Sequence, residues 1–174
     1  MSLETPRDLF IHELSDAMSA EHIVHKLLGT IGDETQNDDV RKAVQQHQQE
    51  TEQQIKNLEK IFDILGEQPE ATTCHAAEGL KQEHDSLKEE NPSELVLELG
   101  NLAGAEKTEH YEIATYLMLQ QMAKDLGEKD VGELLKENLD QEKQMAGTVQ
   151  ALARSLGKDA KKQMQEREKA ESRT

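Results

Sequence analysis

Apolar residues recur at helical spacing along most of the chain. Leu9, Phe10, Leu14, Ala17, Val24, Leu28 and Ile31 share one face of a helix. Thr5-Pro6 places a capping residue before a proline at the first helical position, and Gly32 is positioned to close this helix. Asn37 can cap a second helix, whose stripe runs through Val40, Val44, Ile55, Leu58, Phe62 and Leu65 to Gly66. Glu67 to Thr73 contains Pro69 and predicts a loop. Cys74 to about Lys88 predicts a short helix that carries the chain back across the bundle.

Asn91-Pro92-Ser93-Glu94 is a further start signal, with Glu94 placed to complete a capping box. The third long stripe comprises Leu95, Leu99, Leu102, Ile113, Tyr116 and Leu119 and ends at Gly127. Asp130 and Glu133 open a fourth, through Leu135, Leu139, Met145, Val149 and Leu152 to Gly157. Residues 158–174 are nearly all polar and predict a frayed helix or a disordered tail. The fold expected for residues 1–157 is an all-α, ferritin-like four-helix bundle with a long crossover carrying a short extra helix.

Composition agrees with this pattern. The 174 residues suffice for one domain, and only 2% are aromatic, so the core must be aliphatic. A net charge of −16 argues against nucleic acid and anionic membrane surfaces as partners, since both need a basic face. No apolar run has transmembrane length, and the N-terminus lacks the apolar stretch of a signal peptide. The single Cys74 cannot form an internal disulfide, so a reduced, cytoplasmic setting is the expectation.

Charge changes the picture most where it interrupts the stripes. Glu21 follows Ala17 on the first helix, and His47 and Thr51 follow Val44 on the second, with Glu50 one turn from His47. Glu109 and Glu112 lie between Ala105 and Tyr116 on the third, and Glu142 between Leu139 and Ala146 on the fourth. Any one of these could be an edge residue reaching water. Together they place acids at mid-length on the buried face of all four helices. A buried ionised carboxylate must be paired, protonated or metal-bound.

Five carboxylates and one imidazole come close to neutrality with two divalent ions. Carboxylate-rich sites with sparse histidine suit iron or manganese. Asp140 and Glu137 are alternatives to Glu142 if the fourth helix is rotated. Tyr116 lies one turn beyond Glu112 and is expected to pack in the core with its hydroxyl satisfied. His12, His22, His25, His75 and His84 are expected at the surface, His110 beside the stripe, and Cys74 buried in the crossover. Ala20-Glu21-His22 is echoed by Thr108-Glu109-His110, as two similar hairpins would give.

Several segments carry a resemblance to a known family. They are Leu9-Phe10-Ile11-His12-Glu13-Leu14-Ser15-Asp16, Ser19-Ala20-Glu21, His47-Gln48-Gln49-Glu50-Thr51, Cys74-His75-Ala76-Ala77-Glu78-Gly79-Leu80, Glu109-His110-Tyr111-Glu112-Ile113-Ala114 and Asp140-Gln141-Glu142-Lys143. They resemble the YciF/YciE stress-protein family, in order, over residues 6–157. The resemblance implies a rubrerythrin-related, ferritin-like fold, a homodimer, and a dinuclear metal site on Glu21, His47, Glu50, Glu109, Glu112 and Glu142. The function it implies is a bacterial stress response, and since two reduced metals held by carboxylates can deliver two electrons to a bound oxidant, oxygen or peroxide is the expected small oxidant. Gln141 departs from the pattern, because many members carry a further acid there. A non-catalytic dimeric stress protein with a structural metal is the alternative, and iron storage in a multi-subunit shell is a third.

Overall fold

The computed structural model describes residues 3–171. Its elements are α1 (Pro6–Glu34), α2 (Asp38–Leu65), α3 (His75–Glu89), α4 (Glu94–Leu126) and α5 (Lys129–Glu171). The four long helices form a ring of neighbours, α1–α2–α5–α4, and α3 lies outside it against α1 and α4. This is the expected ferritin-like bundle with a helical crossover.

Local chemistry sets the helix ends. Thr5 caps α1 in a reciprocal box with Asp8, followed by Pro6. The Asn37 side chain accepts from the amides of Asp39 and Val40. Gly66 and Gly127 take left-handed φ of 68° and 79° and stop α2 and α4. Cys74 caps α3, its sulfur accepting from the Ala77 amide.

Three start and stop expectations need correction. Gly32 does not end α1, which continues to Glu34; the glycine is buried against Val44. Gly157 does not end the last helix, because α5 continues to Glu171. Neither glycine has positive φ. Beyond Gly157 the residues are mostly Lys, Gln, Glu and Ala, whose helix propensity outweighs the cost of about 1 kcal/mol for one interior glycine. The polar segment is thus helical through residue 171, while residues 172–174 lie outside the described part. Finally, Ser93 is the N-cap of α4 without a side-chain bond. Glu94 is consequently the first helical residue, too early to reach back in a capping box.

Two polar junctions fix the ends of the bundle. At one end Arg7 reaches the Leu65 carbonyl and, at 3.1 Å, Glu128, joining the start of α1 to the end of α2 and the α4–α5 turn. At the other, Glu98 of α4 is buried and accepts from the Thr35 hydroxyl and from the amides of Gln36 (2.8 Å) and Asn37 (3.3 Å). Hence α4 runs antiparallel to α1 and parallel to α2. The core divides accordingly. One cluster around Phe10, Leu14, Leu58, Phe62, Leu119 and Leu135 lies at the Arg7 end. A second, around Leu28, Ile31, Val40, Val44, Leu102 and Val149, lies at the Glu98 end. The interrupting polar residues sit between the two.

Candidate metal centre

Each long helix places its acid by helical periodicity, because residues three, four and seven apart share a face. Glu21, His47, Glu109, Glu112 and Glu142 are all at most 2% exposed. His47, Glu109, Glu112 and Glu142 converge so that one ligand atom from each lies within 4.8 Å of the others. His47 Nε2 is 3.3 Å from Glu109 Oε1 and 3.9 Å from Glu142 Oε2. Glu21 borders this group through Tyr116, whose hydroxyl donates to Glu21 Oε1. Glu50 stands outside it. Its carboxylate is partly exposed, accepts from Gln46, and lies 3.6 Å from His47 Nδ1.

The register of α5 is settled by the same geometry. Glu142 faces inward, whereas Glu137 and Asp140 are exposed and Asp140 pairs with Lys136. The echoed triplets also behave alike: Glu21 and Glu109 are buried while His22 and His110 point outward. One surface assignment needs correction. His84 is 9% exposed, held by Asn101 at 3.1 Å and lying 3.5 Å from Glu34. It lies on the face of α3 turned to the bundle, where contact with α4 and the end of α1 removes it from water.

Other participants come from polar residues on the same faces. Gln54 lies two turns from His47, is fully buried, and donates its amide to Glu142 Oε1. Asn138, one turn before Glu142, donates to the Tyr116 hydroxyl (3.0 Å) and accepts from Asn57 (2.8 Å). Tyr116 therefore does more than pack, since its hydroxyl sits between Asn138 and Glu21. Spacing from His47 and Glu142 is the signal that finds Gln54 and Asn138. Uncharged amides in a glutamine-rich helix simply do not stand out as acids do.

Burial dominates the electrostatics. It pushes the Glu112 carboxyl far above its usual range, reinforced by the charges of Glu142, Glu21 and Glu109. Burial likewise raises Glu142, partly opposed by His47. It lifts Glu21 to about 7 against the Tyr116 hydrogen bond and the nearby imidazole. For His47, burial favours the neutral ring, but Glu109, Glu50 and Glu142 outweigh it and hold the imidazole well above its usual value. His47 pulls Glu50 below the ordinary carboxylate range, against a smaller effect of burial.

Fit to a cation follows from what these atoms lack. Both Glu112 oxygens, both His47 nitrogens and one oxygen each of Glu21, Glu109 and Glu142 are buried without a hydrogen-bond partner. Native interiors leave few such atoms. Among the described residues no Lys or Arg pairs with these carboxylates. A set of hard oxygen donors with one imidazole nitrogen, convergent and short of positive charge, can hold a metal ion.

Fold and site together define a ferritin-like helical bundle with a buried histidine–carboxylate centre. The family described as "Domain of unknown function (DUF892)" matches residues 5–163, and the chain belongs to that family. It is 35% identical over 144 residues to Protein YciF of Escherichia coli (strain K12), covering 82% of this chain and 87% of that protein. Its backbone is similar to the crystal structure of the E. coli stress protein YciF, with TM-score 0.86, 32% identity, and coverage of 90% of this chain and 99% of that one. YcfI of Rhodopseudomonas palustris is also similar, with TM-score 0.83, 34% identity, and coverage of 86% and 95%. A Xanthomonas campestris protein at 19% identity, covering 92% of this chain and 99% of that one, shares the fold, with TM-score 0.73.

Proposed function

We propose that this chain is a metal-binding stress-response protein whose dinuclear iron or manganese centre reacts with oxygen or peroxide. The ligands in this reading are Glu21, His47, Glu50, Glu109, Glu112 and Glu142. One observation carries it: buried donor atoms from α2, α4 and α5 converge with atoms that lack partners of their own, and Glu21 of α1 adjoins them through Tyr116. The description of the E. coli relative as a stress protein supports the physiological setting. When bound in reduced form, the metals would supply electrons to a small oxidant.

The chain's own residues have definable parts in this reading. Gln54 holds Glu142 by one oxygen and leaves Oε2 free to face the centre. Asn138 fixes the Tyr116 hydroxyl, which holds a proton against Glu21 Oε1. The hydrophobic clusters above and below exclude water. Glu50, partly exposed and 3.6 Å from His47 Nδ1, would join the ligands from the solvent side of the imidazole.

Reconstitution with ferrous iron under anaerobic conditions tests the centre. About two metals per chain are expected, and fewer than one overturns the reading. Glu112→Gln is expected to keep the helical spectrum while losing metal. Peroxide consumption by the loaded protein above background separates a reactive centre from a structural one. We further place the protein in the cytoplasm as a homodimer. Support comes from the single buried cysteine, from the absence of any helix long and apolar enough to cross a membrane among the described residues, and from adjacent Leu117 and Met118, 48% and 59% exposed on α4. Light scattering checks the dimer and would expose a storage shell.

A further inference from the structure

A cavity of about 270 Å³ lies between α3 and the face made by α1 and α4. Its walls are mainly aliphatic, from residues such as Val24, Leu27, Leu80 and Leu87, and Glu109 reaches its inner side. Crossover helix α3 roofs it while seating only Ala77 and His84 fully. Leu87 occupies the space that a Cβ on Gly100 would need, which brings α3 close at one end and leaves the void beside it.

Asn101 is the informative side chain in this wall. It is 5% exposed, and its Oδ1 is occupied by His84 Nδ1 at 3.1 Å. An amide oxygen only accepts, so the histidine nitrogen is the donor. Asn101 Nδ2 is left buried with no partner. An unsatisfied buried donor in an apolar chamber calls for an oxygen acceptor. The titratable groups at the cavity are the acids Glu83 and Glu109, the base Lys107, which is already paired with Glu83, and His84, which is engaged by Asn101 and lies 3.5 Å from Glu34. No free cation offers itself to an anionic head group there.

We propose that this cavity is a binding site for a neutral aliphatic molecule with one hydrogen-bonding oxygen, of the medium-chain alcohol class, whose oxygen accepts from Asn101 Nδ2. The volume lies just below the range of about 300–1,000 Å³ common for drug-sized ligands, which suits a single short chain. The occupant's tail contacts the leucines and valine, and its inner end approaches the Glu109 side of the centre. Binding itself needs only the cavity and not the metal.

Titration calorimetry on the full-length chain without metal, with 1-octanol and octanoate as probes, tests the site. Octanol is expected to bind saturably, and octanoate at least about tenfold more weakly because its carboxylate would lose water in a mainly aliphatic chamber that offers no free cation. Gly104 lines the cavity, and a Cβ there meets no neighbouring atom. Gly104→Leu should fill the chamber and weaken octanol at least about tenfold. Asn101→Leu should weaken octanol about fivefold by removing the donor, and it serves as the test if Gly104→Leu does not fold. No saturable octanol binding, equal binding of octanoate, or octanol binding unchanged in both variants overturns the proposal. Because these titrations contain no metal, their failure leaves the iron reconstitution result standing, and the reverse also holds.

Discussion

The two ends of the bundle use the same four helices and are filled to different degrees. At the Arg7 end both phenylalanines of the chain, Phe10 and Phe62, pack with Leu14, Leu58 and Leu119, all at most 2% exposed. At the Glu98 end the cluster has no aromatic member, and among the described residues seven partly buried hydrophobics pack against it, compared with four at the Arg7 end. The cavity under α3 and a smaller void of about 20 Å³ next to Leu102 both belong to this second end. Stability and access are thus assigned to opposite ends, with the polar layer between them. A close-packed end holds the helices in register, and a looser end leaves room for a guest.

The sharpest way to break this contrast is to truncate one leucine at each end. Leu58→Ala should cost about 3–5 kcal/mol, because its dense surroundings cannot collapse around the hole. Leu102→Ala, beside an existing void, should cost about 2–3 kcal/mol. Urea unfolding measures both, and equal losses would erase the distinction.

The layer between the ends should respond to pH. Glu21 is lifted from 4.5 to about 7, so between those values the folded chain binds more protons than the unfolded one. Its contribution is fully present below 4.5 and is lost as pH rises through about 7. Glu112, Glu142 and His47 are shifted the same way and extend the loss to higher pH. Metal-free protein should therefore be more stable near about pH 5 than near about pH 8, by roughly 2–3 kcal/mol from Glu21 alone and by more with the other three groups. Metal should reverse the trend, since it binds the ionised groups. A metal-free Tm that rises over this interval would refute the expectation.

Smaller effects sharpen the picture within the layer and at the helix ends. Gln54→Ala removes the donor to Glu142 and should cost about 1–3 kcal/mol, with metal affinity down about 10–100-fold. Calorimetry and metal titration read these separately. Gly66→Ala should cost about 1 kcal/mol, because its φ of 68° suits only glycine without strain. Gly157→Ala should instead gain about 0.5–1 kcal/mol, since that glycine is inside α5. Matched thermal melts distinguish the opposite signs.

Much of this was legible from periodicity. The stripes located all four long helices, and the caps at Thr5, Asn37, Gly66 and Gly127 fell where expected. Of the six expected ligands, four converge, Glu21 adjoins them through Tyr116, and Glu50 sits behind His47. Other features escaped for physical reasons. A glycine ends a helix only when its backbone turns left-handed, which Gly32 and Gly157 do not do. His84 is buried by a tertiary neighbour that local pattern cannot supply. Gln54 and Asn138 carry no charge, so their burial breaks no rule visible in one chain.

The Glu98 carboxylate has a consequence for how the chain folds. It serves three donors in the corner between α1 and α2 across 61 to 63 residues of sequence. The corner makes bonds of its own, such as Arg41 to the Thr35 carbonyl, but the Thr35 hydroxyl and the Gln36 amide are satisfied only from α4. Such a distant contact carries the entropy of closing a long loop and ties early structure to late. The two hairpins are thereby tied together at this corner, and loss of the Glu98 carboxylate would loosen both at once.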